Sequence, residues 1–239
     1  MTKLRVEKCY LKGKLVDVYK ITKPIGKFRK DGNFNSEVVE EVFDFAFDMT
    51  FGGKGEHRGT RSGGDLLRSN LEKFVDAFQG KLAEFAVYEQ MNLKGIKFHK
   101  PDLNTYGLGD WDDADFDYNG YKISVKSTKF FGQLLLLETK DWNQEGEYIP
   151  NKSRNNSNSV YDFFIMVRIK PDIIKVIKDT GCLDKDELED KSTEEFNNQI
   201  TKEKEILKKH FIENADFEYE FTGAVSNKTL KHIIKNKYI

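Results

Sequence analysis

Hydrophobic and polar positions along this chain mark out its elements. Two short alternating runs open it, 4–10 (LRVEKCY) and 15–21 (LVDVYKI), and Lys12-Gly13-Lys14 between them predicts a β-hairpin. A loop rich in Lys, Gly and Asn follows (22–35). Val39, Val42, Phe43 and Phe47 then recur at helical spacing and predict a helix over about 37–49, capped by Ser36. From Asp65 to Asn92 a longer stripe (Leu67, Leu71, Phe74, Val75, Phe78, Leu82, Phe85, Ala86) predicts one long helix or two abutting ones. Gly80 interrupts the stripe, as a kink or a close packing contact. Residues 95–99 read as a short strand before Pro101. The runs 111–118 and 121–128 alternate around Asn119-Gly120, a strong hairpin signal because a type I′ turn takes positive φ at both central residues. An apolar run at 134–139 predicts a further strand, and the polar stretch 140–159 a long exposed loop. The most apolar segment, 160–169 (VYDFFIMVRI), predicts a central strand buried on both faces. Residues 170–215 are charged and helix-prone, and 217–225 alternates like a strand. A last helix is predicted over 228–235, capped by Ser226 or Asn227, with Leu230, Ile233 and Ile234 inward.

Together these elements predict an α/β protein with a mixed central β-sheet flanked by helices. The sheet is expected to contain 111–118, 121–128, 134–139 and 160–169, with the 65–92 helical region packed on it. No repeat or linker divides the chain, so one domain over 1–239 is expected. Its core would lie at about 65–170, with the N-terminal hairpin and 170–239 as accessories. A length of 239 residues is enough to bury such a core.

Composition narrows the partners. Hydrophobic residues make up 38% and charged residues 33%, and the formal net charge is −1, so global charge does not draw the chain to a polyanion. Any such binding must come from local patches. Cys9 and Cys182 are the only cysteines and are far apart, which argues against a disulfide scaffold or a zinc site and fits a reducing cytoplasm. No signal-peptide pattern is evident, and the apolar runs 134–137 and 163–167 are too short to span a bilayer. The expectation is a cytoplasmic protein with no membrane partner.

The candidate chemistry gathers at the Asn-Gly hairpin. A two-residue turn pairs Tyr118 with Tyr121, Asp117 with Lys122, Phe116 with Ile123 and Asp115 with Ser124. Continued one step at a time, Ala114 meets Val125 and Asp113 meets Lys126. Alternation then puts Asp113, Asp115, Asp117, Lys122, Ser124 and Lys126 on one face and an apolar set on the other. Upstream, 51–64 (FGGKGEHRGTRSGG) joins several glycines to Lys54, His57, Arg58 and Arg61. It reads either as a surface loop or as a loop contacting a phosphate backbone, and it lacks the ending of a Walker loop. Glu84, beside the apolar stripe, is either a solvated helix residue or a third acid. Carboxylates are the ligands Mg²⁺ prefers, and an ammonium nearby can orient a water or offset an oxyanion. That set suits phosphodiester hydrolysis.

Asp115-Phe116, the hairpin, and then Ser124-Val125-Lys126-Ser127 resemble the PD-(D/E)XK nuclease superfamily, and Glu84 in GKLAE resembles the helix glutamate that often precedes its motif. The order of elements is similar to that of type II restriction endonucleases, over roughly 75–170. The resemblance implies a restriction-endonuclease-like core and an Mg²⁺-dependent endodeoxyribonuclease. It would act on duplex DNA as a homodimer, whose two-fold symmetry matches a palindromic site. It implies Asp115 as first metal ligand, Lys126 as catalytic lysine, the Val125 carbonyl completing the metal site, and Glu84 as auxiliary ligand. Lys54, Arg58, Arg61 and Ser127 are the expected DNA contacts, with 51–64 and 140–159 as loops that reach base edges.

The chain departs from the family pattern at Ser124, where an acid is expected. Glu84 is the favoured replacement and Asp113 the second. Glu138-Thr139-Lys140 has the literal acid-x-lysine spacing but no hairpin back to Asp115. Other readings remain. The charged face is also what an ordinary salt-bridged hairpin presents. A repair or mobile-element nuclease shares the same core, and a non-catalytic DNA-binding module that has lost the site would explain Ser124. His57, His99, His210 and His232 show no ligand spacing. Trp111 and Trp142 suit packing better than base stacking.

Overall fold

A computed structural model describes residues 4–11, 13–21, 26–52, 67–104, 114–132, 141–149, 159–181 and 194–235. The first two strands, β1 (Leu4–Leu11) and β2 (Lys14–Ile21), pair antiparallel with Leu11 opposite Lys14. Gly13 turns the chain at φ 74°, where the absence of a Cβ removes the steric penalty. This hairpin forms a sheet of its own.

The main sheet is built from β3 (Gly32–Asn33), β4 (Phe116–Tyr118), β5 (Tyr121–Lys129), β6 (Phe163–Lys170) and β7 (Glu218–Ser226), in the order β3-β7-β6-β5-β4. β5 and β6 run parallel and the other neighbours antiparallel, so the sheet is mixed as expected. The Asn-Gly turn forms, with φ 52° at Asn119 and 81° at Gly120, and it sets the predicted register of Phe116 with Ile123, Asp117 with Lys122 and Tyr118 with Tyr121. β4 is shorter than the 111–118 run expected: Asp115 lies in a bend ahead of it, and 111–113 lie outside the described residues, as does all of 133–140 with its predicted strand. β6 is central, with Phe164, Met166, Val167, Arg168 and Ile169 all buried.

One expectation is corrected by β7. It pairs with β6 along its whole length and belongs to the central sheet rather than to an accessory. The main core is accordingly wider than 65–170. It takes Phe43 from helix α1 (Ser36–Thr50), Phe78 from α2 (Asn70–Leu93), and Phe211 and Phe217 from the C-terminal third, with ring centroids 5.1–5.6 Å apart. Large aromatic side chains distant in sequence meet here because each is the apolar stripe of its own element.

Helix starts also differ from the pattern. Asn35, not Ser36, caps α1: its side-chain oxygen accepts the Val38 N–H at 2.8 Å, and its own backbone is already extended. α2 begins at Asn70 behind a capping box, in which Glu72 N–H donates to Ser69 Oγ at 3.2 Å and Ser69 N–H to Glu72 Oε2 at 2.8 Å. It runs unbroken through Gly80, where an added Cβ would meet nothing within 4 Å, so that glycine marks neither a kink nor a tight contact.

The remaining helices are α3 (Ile173–Asp179), α4 (Glu194–Lys202), α5 (Lys204–Glu213) and α6 (Asn227–Lys235). α1, α2 and α5 cover one face of the sheet through Val167, Ile169 and Tyr219. A second cluster, Trp142, Phe164 and Leu230 with Tyr148, Tyr161 and Ile234 against it, lies on the opposite face. Residues 141–149, expected in an exposed loop, therefore fold back on the sheet. Asn143 shapes that turn by accepting from Glu145 and Glu147 N–H, and Asn227 Nδ2 donates to Gly146 O at 2.9 Å. Among the described residues no helix is long and apolar enough to cross a membrane.

Candidate active site

The site begins where β4 stops. β4 covers the edge of β5 only as far as Ile123. Past that point the Val125 N–H has no strand beside it, and the Asp115 carboxylate takes the strand's place: Oδ2 accepts from Val125 N at 2.6 Å and from Ser124 Oγ at 3.2 Å. These two hydrogen bonds fix the carboxyl group against the edge of β5. An extended residue exchanges its N–H and C=O across the same edge, so the Val125 carbonyl leaves β5 on the side of Asp115. Ser124, 3% exposed, stands where the family pattern has an acid, and here it orients Asp115.

Lys126 follows one pleat on. Among the described residues it forms no ion pair, unlike Lys122, whose Nζ lies 2.9 Å from Asp117 Oδ2 nearer the turn. That exposed pair holds the Asp117 carboxyl below its ordinary range, through the Lys122 hydrogen bond first and the Gly120 N–H second. The hairpin thus divides. Its turn end is an ordinary salt-bridged surface, and its far end holds a satisfied carboxylate beside a lysine that pairs with no described acid.

Glu84 comes from α2. Its side chain is 15% exposed, and its Oε2 lies 2.7 Å from Lys81 Nζ. Burial pushes its pKa up to about 8, against the pull of Lys81. The charge of Asp115 raises it further and that of Lys126 lowers it, so Glu84 lies within electrostatic reach of both. Lys81 is a site residue that the sequence pattern did not single out. Its side chain is 14% exposed and its ammonium lies 5.0 Å from the centre of the Phe45 ring. The Lys81–Glu84 spacing of one helical turn was its available signal.

The donor set fits Mg²⁺, a hard cation that takes one or two carboxylates and completes its shell with water and substrate phosphate. Both contacts of Asp115 use Oδ2, which leaves Oδ1 as a donor, and the Val125 carbonyl and Glu84 are the other oxygens to hand. No group of three His, Cys, Asp or Glu side chains gathers among the described residues. Asp113 and Glu138 lie outside them, as do Lys54, Arg58, Arg61 and Trp111. The Ser127 hydroxyl accepts from Gln79 Nε2 at 3.2 Å, in the seam between α2 and β5. Trp142 is buried, as its packing role predicts. The chain matches no family model, no curated protein and no solved structure.

Proposed function

We propose that this chain is an Mg²⁺-dependent endodeoxyribonuclease that hydrolyses phosphodiester bonds in duplex DNA, of the type II restriction kind. The observation that carries the reading is the Asp115 carboxylate fixed at the open edge of β5 by Val125 N–H and Ser124 Oγ, one residue from Lys126, with the buried Glu84 of α2 feeling the charges of both. A salt-bridged surface would pair Lys126 with the nearest acid. Asp115 is instead occupied by Ser124 and Val125, and the lysine is left for another anion.

Each residue has a definable part. Asp115 is held in one orientation by its two donors, so it presents Oδ1 without a search among rotamers. Burial holds the Glu84 carboxyl pKa up at about 8, so its ligation would draw a proton off it, a loss that the Lys81 charge and then the Lys126 charge assist. A bound Mg²⁺ would lower the pKa of a coordinated water and offset charge on the scissile phosphate. The Lys126 ammonium neutralises the oxyanion developing on that phosphate or orients the attacking water. Dimerisation over a palindromic site belongs to the same proposal.

The test is digestion of long duplex DNA in Mg²⁺ and in EDTA, alongside Lys126→Ala. Discrete bands that need the metal and the lysine support the restriction reading. A smear favours a repair or mobile-element nuclease. Ser124, which supplies no acid beside Asp115, favours a second reading, a DNA-binding module without catalysis. The absence of cleavage in any divalent metal would sink both nuclease readings.

A further inference from the structure

The face of the sheet that carries Lys126 is covered at its two ends by different elements. Cα partners place Ser124, Lys126 and Thr128 of β5 beside Phe164, Met166 and Arg168 of β6. Partners in a ladder share a face, so these six side chains leave the sheet on the same side. At the Phe164 end, α6 packs down through Leu230. At the Arg168 end lies a strap, residues 26–31. Lys126 lies between the two, and Arg168 is one strand and one pleat away, roughly 8 Å between Cα atoms.

The strap is pinned from beneath by a buried ion pair. Arg168, 4% exposed, binds Glu220 through Nε and Nη2 and donates from Nη1 to Gly26 O at 3.2 Å. Glu220 also accepts the Arg29 N–H at 3.0 Å. Phe28 turns inward, over Arg168 and edge-on to Phe130, while Lys27 and Arg29 on either side of it are exposed. Neither Lys27 nor Arg29 forms a side-chain ion pair among the described residues. A desolvated charge pair spent on fixing a surface strap is costly. What it gains is a fixed position for two cations.

α6 (NKTLKHIIK) is the matching wall. It carries Lys228, Lys231, Lys235 and His232 and no acid. Leu230 and Ile234 turn to the sheet, and Lys228 and Lys235 are exposed. None of the three lysines forms an ion pair among the described residues. The strap also carries Lys30, paired with Glu218 at 3.0 Å, and Asp31, but in a chain of net charge −1 the cations of Lys27, Arg29 and the three α6 lysines on either side of Lys126 are a local concentration.

We propose that the strap and α6 are two walls of a channel that grips the phosphate backbone of duplex DNA on either side of Lys126, with Lys27 and Arg29 on one wall and Lys228 and Lys235 on the other. The proposal rests on the nuclease reading for the place of the scissile phosphate, and its test separates the two. Binding of a fluorescein-labelled 30-base-pair duplex is followed by anisotropy in EDTA, over a series of salt concentrations, so that nothing is cut. Lys27→Ala/Arg29→Ala and Lys228→Ala/Lys235→Ala should each weaken binding roughly tenfold or more, and each should lower the slope of log K against log salt by about 2. Lys202→Ala/Lys209→Ala, on α4 and α5, should change neither, and thermal melts should show all three variants folded. Wild-type binding with unchanged slopes in both wall variants overturns the channel and leaves the nuclease reading standing. Wall-dependent binding without cleavage in Mg²⁺ keeps the channel and removes the nuclease. A wild-type protein that binds no duplex removes both.

Discussion

Glu84 carries the sharpest consequence at the scale of single residues. Its carboxyl has an ordinary pKa near 4.5 when unfolded and about 8 when folded, chiefly through burial. The folded state therefore binds the extra proton between those values, and stability falls as pH rises through that window. Glu84→Gln removes the titration but keeps an oxygen for Lys81. Relative to wild type it should gain about 2 kcal/mol of stability between pH 6 and pH 8. Denaturant melts at the two pH values check this, and parallel curves for the two proteins would refute it. Lys126→Ala should lower the cleavage rate by roughly 10²-fold or more while leaving the fold intact. The residue pattern made Asp115 and Lys126 legible because an Asn-Gly turn fixes register, and register fixes which side chains share a face. Glu84 was legible only by resemblance. That Ser124 orients Asp115 was not legible, because no periodicity reveals that β4 stops early and a side chain finishes its ladder.

Among the elements, α2 sets where Glu84 stands, and its start is built by the Ser69–Glu72 box. Ser69→Ala should cost about 1 kcal/mol, and Gly80→Ala should return about 0.5–1 kcal/mol, since the added methyl enters open space within an intact helix. Thermal melts of both variants and of the pair would show the opposing shifts, and a destabilising Gly80→Ala would mean that the helix does not continue there. The apolar stripe predicted α2 well, because a long amphipathic repeat is a strong signal. The pattern starts the helix at Asp65, five residues early, since Leu67 fits the stripe but the Ser69 cap follows it. β7 was legible as a strand, but its place beside β6 was not, because pairing between strands so distant in sequence leaves no local trace.

At the scale of the whole molecule, the sheet divides the labour. The face turned to α1, α2 and α5 holds the aromatic core, and the other face carries Lys126 between α6 and the strap. A net charge of −1 is compatible with a polyanion partner only if contact is confined to such a strip. The 140–159 stretch shows the limit of composition as a guide: it is polar, yet Trp142 fastens part of it to the sheet. In the proposed site, Asp115 and Glu84 would hold one metal that Lys126 serves without binding. Titration with Mn²⁺, followed by its own paramagnetic signal, tests this most directly across wild type, Asp115→Asn, Glu84→Gln and Lys126→Ala. One site is expected in wild type and in Lys126→Ala, lost in Asp115→Asn and weakened at least tenfold in Glu84→Gln. Unchanged Mn²⁺ binding in Asp115→Asn would contradict it.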